Sequence, residues 1–166
     1  MNDFQISFEK LSMKHQVEII DIFNYYVINT TSAFPDKSVS YYYYSKILDA
    51  TKGCPAFAIT IQDKTIGFCF LHAYNPFPTF SECAEITYFI DKDYTGKGIG
   101  NLVLKKLESE AKKMGIKTLL ASISSENIKS INFHLKNNFK DCGRFEDIAK
   151  KDGKSFDIVW MQKRLD

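Results

Sequence analysis

The sequence is poor in the features that mark several large protein classes. Its four cysteines, Cys54, Cys69, Cys83 and Cys142, form no Cys-x-x-Cys pair, and its three histidines, His15, His72 and His134, stand far apart. Such spacing fits neither a zinc site nor a disulfide scaffold, and it suits free thiols in a reducing compartment. An excess of one charge is also missing: 22 Lys and Arg against 20 Asp and Glu leave +2. That balance argues for no nucleic-acid partner and no anionic membrane partner. The most apolar stretch, Ile66 to Tyr74, is interrupted by His72 and falls far short of the roughly 20 residues of a membrane helix. The start of the chain, from Met1 to Lys10, has acids and no long apolar core, so no signal peptide is expected. Repeats, low-complexity tracts and long linkers are absent too. A cytoplasmic chain is expected, and 166 residues predict a single domain over 1–166.

What is present is an ordinary globular composition, 45% hydrophobic and 14% aromatic, which predicts a substantial core and an aromatic-lined cavity. Phe4 to Phe8 alternates as a short strand. Val17, Ile20, Phe23 and Val27 recur at helical spacing within a helix from Lys14 to Val27. A loop through Phe34-Pro35-Asp36 leads to a second helix, with Ser40 as N-cap, that ends at Asp49. Ala56–Ile61, Thr65–Ala73 and Ala84–Ile90 read as strands, with Gln62-Asp63-Lys64 as a tight turn. Their close spacing predicts an antiparallel meander.

Beyond Ile90 the period changes. Leu104, Leu107, Ala111 and Met114 share one helix face, and Gly115 stops that helix. A strand at Leu119–Ile123, a helix from Asn127 to Asn137 and two strands near Asp141–Ile148 and Ser155–Lys163 complete the chain. The predicted class is α+β, with a mixed central sheet of about seven strands flanked by about four helices.

Between the meander and the helix lies Thr95-Gly96-Lys97-Gly98-Ile99-Gly100. Glycines there admit close approach by a ligand, and free N–H groups at a helix start make an anion site. A Walker loop fails because Ile99 follows Gly98. The dinucleotide fingerprint fails because its third glycine comes one residue early and Leu119–Ser125 carries no acid. A pyrophosphate cradle and a plain glycine-rich turn both remain open.

Downstream stand Asn127, Ser130-Ile131 and Asn137-Asn138-Phe139. This order and spacing resemble the GNAT superfamily of acetyl-CoA-dependent N-acetyltransferases. Tyr25 to Phe34, Ala84 to Ile90 and Met161 to Leu165 resemble its phosphinothricin and methionine sulfoximine acetyltransferase branch. The resemblance implies the GNAT fold, acetyl-CoA as co-substrate with no metal, a homodimer, and positions for the coenzyme. Tyr88, Phe89 and Ile90 would pair with the pantetheine arm, and Gly96, Lys97, Gly98, Ile99, Gly100 and Asn101 would hold the pyrophosphate. Asn127 would bond near the thiol, and Lys136 would sit near the CoA phosphates. The plainer readings are Tyr88 and Ile90 as core, Asn127 as a helix N-cap and Lys136 as a solvated lysine.

Acetyl transfer needs a neutral amine, and free amines titrate at roughly 8 to 10, so a base must take a proton. Glu85 is the candidate, a lone carboxylate in an apolar strand at the family's glutamate position; the alternative is an edge-strand glutamate facing water. His134 matches the branch's histidine and is the candidate acid, with a half-buried structural histidine as its alternative. His15 and His72 are read as structural.

The sequence departs from the branch at three points. Thr95 stands where Arg or Gln is usual, which removes a long polar side chain from the pyrophosphate loop. Asn138 replaces a glycine, which Asn tolerates because it accepts left-handed geometry. The loop from Tyr74 to Phe80 lacks the arginines that would grip a carboxylate. Phe34, Tyr74, Asn75, Phe77 and Phe80 are expected to line the amine site instead, with weak or no activity on phosphinothricin and methionine sulfoximine. The expected function is acetylation of a small primary amine by direct attack. The competing readings are acetylation of a protein N-terminus or lysine, and a catalytically weak CoA-binding sensor.

Overall fold

A computed structural model describes residues 5–165. Seven strands and four α-helices follow one another as β1 (Ile6–Lys10), α1 (Gln16–Asn29), α2 (Tyr43–Ala50), β2 (Ala56–Ile61), β3 (Lys64–Ala73), β4 (Cys83–Ile90), α3 (Ile99–Lys113), β5 (Thr118–Ser124), α4 (Ile128–Lys136), β6 (Lys140–Lys151) and β7 (Lys154–Arg164). The sheet order is β1-β2-β3-β4-β5-β7-β6. Among the described residues only the β4–β5 pair is parallel. Gln62 and Asp63 take φ of 48° and 64°, the left-handed pair of a tight hairpin turn.

The sheet divides two cores. On one face α3 lays Val103, Leu104, Leu107 and Ala111 against Leu71, Ala84, Ile86, Leu119, Ala121 and Met161. On the other, Ile19, Ile20, Phe23 and Val27 of α1 pack with Tyr44, Phe68 and Phe70. Strand alternation therefore sends Ala84, Ile86 and Tyr88 of β4 to the α3 side and Phe89 to the α1 side.

Both helices flanking the site end in the same way. Gly115 has φ +76°, its N–H donates to Lys112 O, and Ile116 N–H donates to Ala111 O. Asn138 has φ +66°, its N–H donates to Leu135 O, and Phe139 N–H donates to His134 O. These are paired Schellman closures, and Asn138 fills the left-handed position its type allows.

Several boundaries differ from expectation. Phe4 lies outside the described residues, and β1 runs on to Lys10. Val17 is exposed, because the buried stripe of α1 follows Ile19, Ile20, Phe23 and Val27 instead. Met114 is exposed, since it caps α3 beyond the last packed turn. Ser40 is not an N-cap: its carbonyl accepts from Tyr43 N–H in a turn, and α2 starts only at Tyr43. The anchor there is Tyr44, fully buried, whose hydroxyl donates to Ser12 O.

Candidate active site

The ladder between β4 and β5 holds three pairs, Cys83–Thr118, Ala84–Leu119 and Glu85–Leu120, and stops there. β4 continues to Ile90 paired with β3, and β5 continues to Ser124 paired with β7. The two strands part at Glu85, and that opening organises everything near it.

Glu85 sits in a central strand, not an edge strand, on the face away from α3. Ser122 of β5 donates its hydroxyl to Oε1. Across the β3 ladder, His72 is the register partner of Glu85, with Nε2 3.8 Å from Oε2. The carboxylate side chain is 16% exposed and the imidazole 30%. Trp160 stands opposite Ser122 on β7 and meets Tyr74 edge-on at 6.1 Å, while Tyr74 meets Phe80 at 5.8 Å.

On the other face of β4, Tyr88 lies beneath α4. Its ring stacks on His134 at 5.9 Å, and its hydroxyl is 3.3 Å from His134 Nε2. His134 Nδ1 is 2.8 Å from Ser130 O. A carbonyl only accepts, so Nδ1 carries the hydrogen and Nε2 accepts from Tyr88. His134 is 3% exposed. Burial holds its pKa below the usual histidine value and pushes the Tyr88 phenol well up, so both stay neutral near pH 7. No side-chain contact joins Glu85 to His134 among the described residues; they occupy opposite sides of one strand.

The glycine loop has the geometry of an anion cradle. Gly96 and Gly98 take φ of 73° and 81°, with open space where a Cβ would stand. Gly98 is the N-cap of α3, whose first turn receives no side-chain cap, leaving Ile99 and Gly100 N–H groups for a ligand. A Cβ on Gly100 would come within 3.2 Å of the Phe133 ring, so that glycine lets α3 and α4 close up. Lys97 lies over Tyr94 with Nζ 5.3 Å from the ring centre. Thr95 turns its hydroxyl back to Lys92 O. Asn137 donates to Asn101 Oδ1 at 3.2 Å, which brings the end of α4, with exposed Lys136, beside this loop.

Other predicted residues are already engaged. Asn127 is the N-cap of α4, accepting from Ser130 N–H and donating to Ser32 Oγ. The Ile90 carbonyl accepts from the Tyr26 hydroxyl, and Phe89 packs edge-on against Phe23 at 5.2 Å. Asn75 accepts from Phe77 N–H. Phe34 and Phe77 are 51% and 67% exposed, so they stand in solvent and line no closed cavity.

Three residues outside the predicted set complete the site: His72, Ser122 and Trp160. His72 lay within the predicted meander, but the loop over 74–82 between β3 and β4 left open the register with Glu85 that the ladder fixes. Ser122 and Trp160 depend on the long-range β4–β5–β7 order and left no local signal.

Comparison with known proteins gives a consistent result. The sequence profile of the acetyltransferase (GNAT) family matches residues 19–139. The L-methionine sulfoximine/L-methionine sulfone acetyltransferase of Pseudomonas paraeruginosa PA7 is 28% identical over 151 residues, covering 89% of this chain and 88% of that protein. The crystal structure of an N-acetyltransferase from Staphylococcus aureus Mu50 superposes with a TM-score of 0.91 at 26% identity, over 98% of this chain and 99% of that one. A GNAT superfamily phosphinothricin acetyltransferase from Sinorhizobium meliloti, solved with acetyl-CoA, superposes with a TM-score of 0.90 at 20% identity, over 96% of this chain and 88% of that one.

Proposed function

The chain belongs to the acetyltransferase (GNAT) family, and from that premise we propose that it transfers acetyl from acetyl-CoA to the primary amine of a small molecule, with Glu85 as base. One observation carries the reading. The carboxylate stands where β4 and β5 part, with Oε1 held by Ser122 and Oε2 left to meet an incoming amine.

The residues present fit the coenzyme. The left-handed glycines Gly96 and Gly98 and the uncapped start of α3 suit a pyrophosphate, with Lys97, Ile99, Gly100 and Asn101 around it and Lys136 at its edge. The β4 edge at Tyr88, Phe89 and Ile90, which β5 leaves beyond Glu85, suits the amide-rich arm once the Ile90 carbonyl is released from the Tyr26 hydroxyl, and Asn127 caps α4 just after β5. Acetyl-CoA supplies an activated acyl group; the chain's task is to align it and manage protons. Glu85 Oε2 takes the amine's proton, because an ammonium has no lone pair. The Tyr88–His134 couple serves the departing sulfur. His134, the expected acid, is neutral with no spare proton, and the Tyr88 hydrogen is committed to its Nε2, so the couple lends a polar surface and the sulfur leaves as thiolate. A thiol that titrates near 8.5 leaves readily, so this help is modest.

The amine site is walled by Tyr74, Phe80 and Trp160, with Asn75 and Phe77 on the same loop and Phe34, the further candidate, exposed on another. The Tyr74–Phe80 loop carries no arginine, so an aryl or alkyl amine without a carboxylate is the preferred class. Phosphinothricin and methionine sulfoximine are poor substrates. The exposure of Phe34 and Phe77 favours a second reading, in which the amine belongs to a protein.

The test is a panel of 2-phenylethylamine, benzylamine, propylamine, methionine sulfone and a lysine peptide, following loss of the thioester. Fastest turnover on an arylalkylamine is expected. Fastest turnover on the peptide supports the second reading, and coenzyme binding with no turnover leaves a sensor.

A further inference from the structure

We propose that His72 is the proton exit of this site, a positioning residue that works through Glu85; the inference rests on the function proposed above. The β3–β4 register sets the two side by side. His72 Nδ1 lies 3.3 Å from its neighbour's carbonyl, Ala73 O. Because that oxygen only accepts, Nδ1 bears the hydrogen, and Nε2 is the atom able to take a proton. Nε2 faces Oε2 of Glu85 at 3.8 Å, the oxygen that Ser122 leaves open.

A proton handed to Glu85 must leave before the next turnover. Among the described residues, His72 is the group paired with the Glu85 carboxylate by charge, and its side chain is nearly twice as exposed, 30% against 16%. The other titratable group nearby is Cys83, on the same strand. Its thiol is pushed up by burial and by the Glu85 charge, so it holds its proton and competes for none. On the remaining side His72 meets the Phe70 ring, 6.0 Å away, which cannot accept a proton.

The step balances. As the amine lone pair forms the new C–N bond, the thioester C–S bond breaks, the sulfur leaves with the bonding pair as thiolate, and the nitrogen's proton passes to Glu85 Oε2. It then moves to His72 Nε2 through one bridging water or a small ring rotation. The imidazolium releases it to solvent, and the carboxylate is restored.

His72→Ala and His72→Asn are compared with the wild type and Glu85→Gln, using the fastest amine of the panel above. Asn keeps a donor for the Ala73 carbonyl and lacks an acceptor at the Nε2 position. Both His72 variants are expected to lose about tenfold to hundredfold in kcat with the amine KM within about twofold. Added imidazoles are expected to restore His72→Ala at rates that rise with their basicity, a dependence that a merely structural role does not produce. Unchanged kcat in both variants overturns the proposal, as does a loss that no imidazole restores. Turnover lost in Glu85→Gln but kept in both His72 variants overturns this inference alone. A wild type inert on every panel amine overturns the function and this inference with it.

Discussion

One strand carries two histidine pairs, and they differ in almost every physical respect. On the α1 side, Glu85 and His72 stand 3.8 Å apart with 16% and 30% of their side chains exposed. On the α3 side, Tyr88 and His134 lie within hydrogen-bond reach at 3.3 Å, with His134 buried. The first pair is loose and wet; the second is tight, dry and neutral. On the proposals above the wet pair passes protons to solvent, whereas the dry pair fixes a hydrogen in one place. On the function proposed above, the thioester would lie where β4 and β5 part, between the two pairs, and one strand would separate proton traffic from orientation.

The largest expected effect is on the wet side. Glu85→Gln should lower kcat by about a hundredfold to ten-thousandfold in steady-state assays. A loss no greater than that of Tyr88→Phe would erase the division of labour. Next comes the loop that seats the coenzyme. Gly98→Val places a branched residue at φ +81°, a strain of about 1–2 kcal/mol, and should weaken acetyl-CoA binding about tenfold by calorimetry.

On the dry side, Tyr88→Phe leaves His134 Nε2 buried without a donor. It should cost about 1–3 kcal/mol of stability, read as a lower melting temperature, with a drop in kcat of only about tenfold.

The same pair predicts a pH effect. Burial lowers the His134 pKa, so the unfolded chain binds a proton first, near its ordinary value of about 6.5. The stability this neutral histidine contributes is present above that value and is lost as pH falls through the lowered folded one. Melting temperature should therefore fall on acidification below about pH 6.5, less steeply in His134→Gln. The smallest effect concerns selectivity: Phe77→Arg should raise turnover of methionine sulfone a few-fold relative to an uncharged amine.

Much of this was legible in the residues. The glycine loop, the meander and the helix after Asn127 announce themselves by local spacing, and Glu85 stood out as a lone carboxylate in an apolar run. Local patterns do not show which strand lies beside which, however. Ser122 and Trp160 reach the site only because β5 inserts between β4 and β7. Val17 and Ser40 misled because helix spacing alone does not reveal where packing begins. The aromatics of the Tyr74–Phe80 loop promised a cavity, but Phe77 had no element to pack beneath and stands exposed.

Both pairs matter only if the thioester lies between them, so the account stands on coenzyme entering where β4 and β5 part. Calorimetric titration with acetyl-CoA tests this directly. One site per chain, weakened by Gly98→Val and unaffected by Glu85→Gln, is the predicted result. No heat at about 1 mM coenzyme, a concentration that reveals even weak binding, would contradict it.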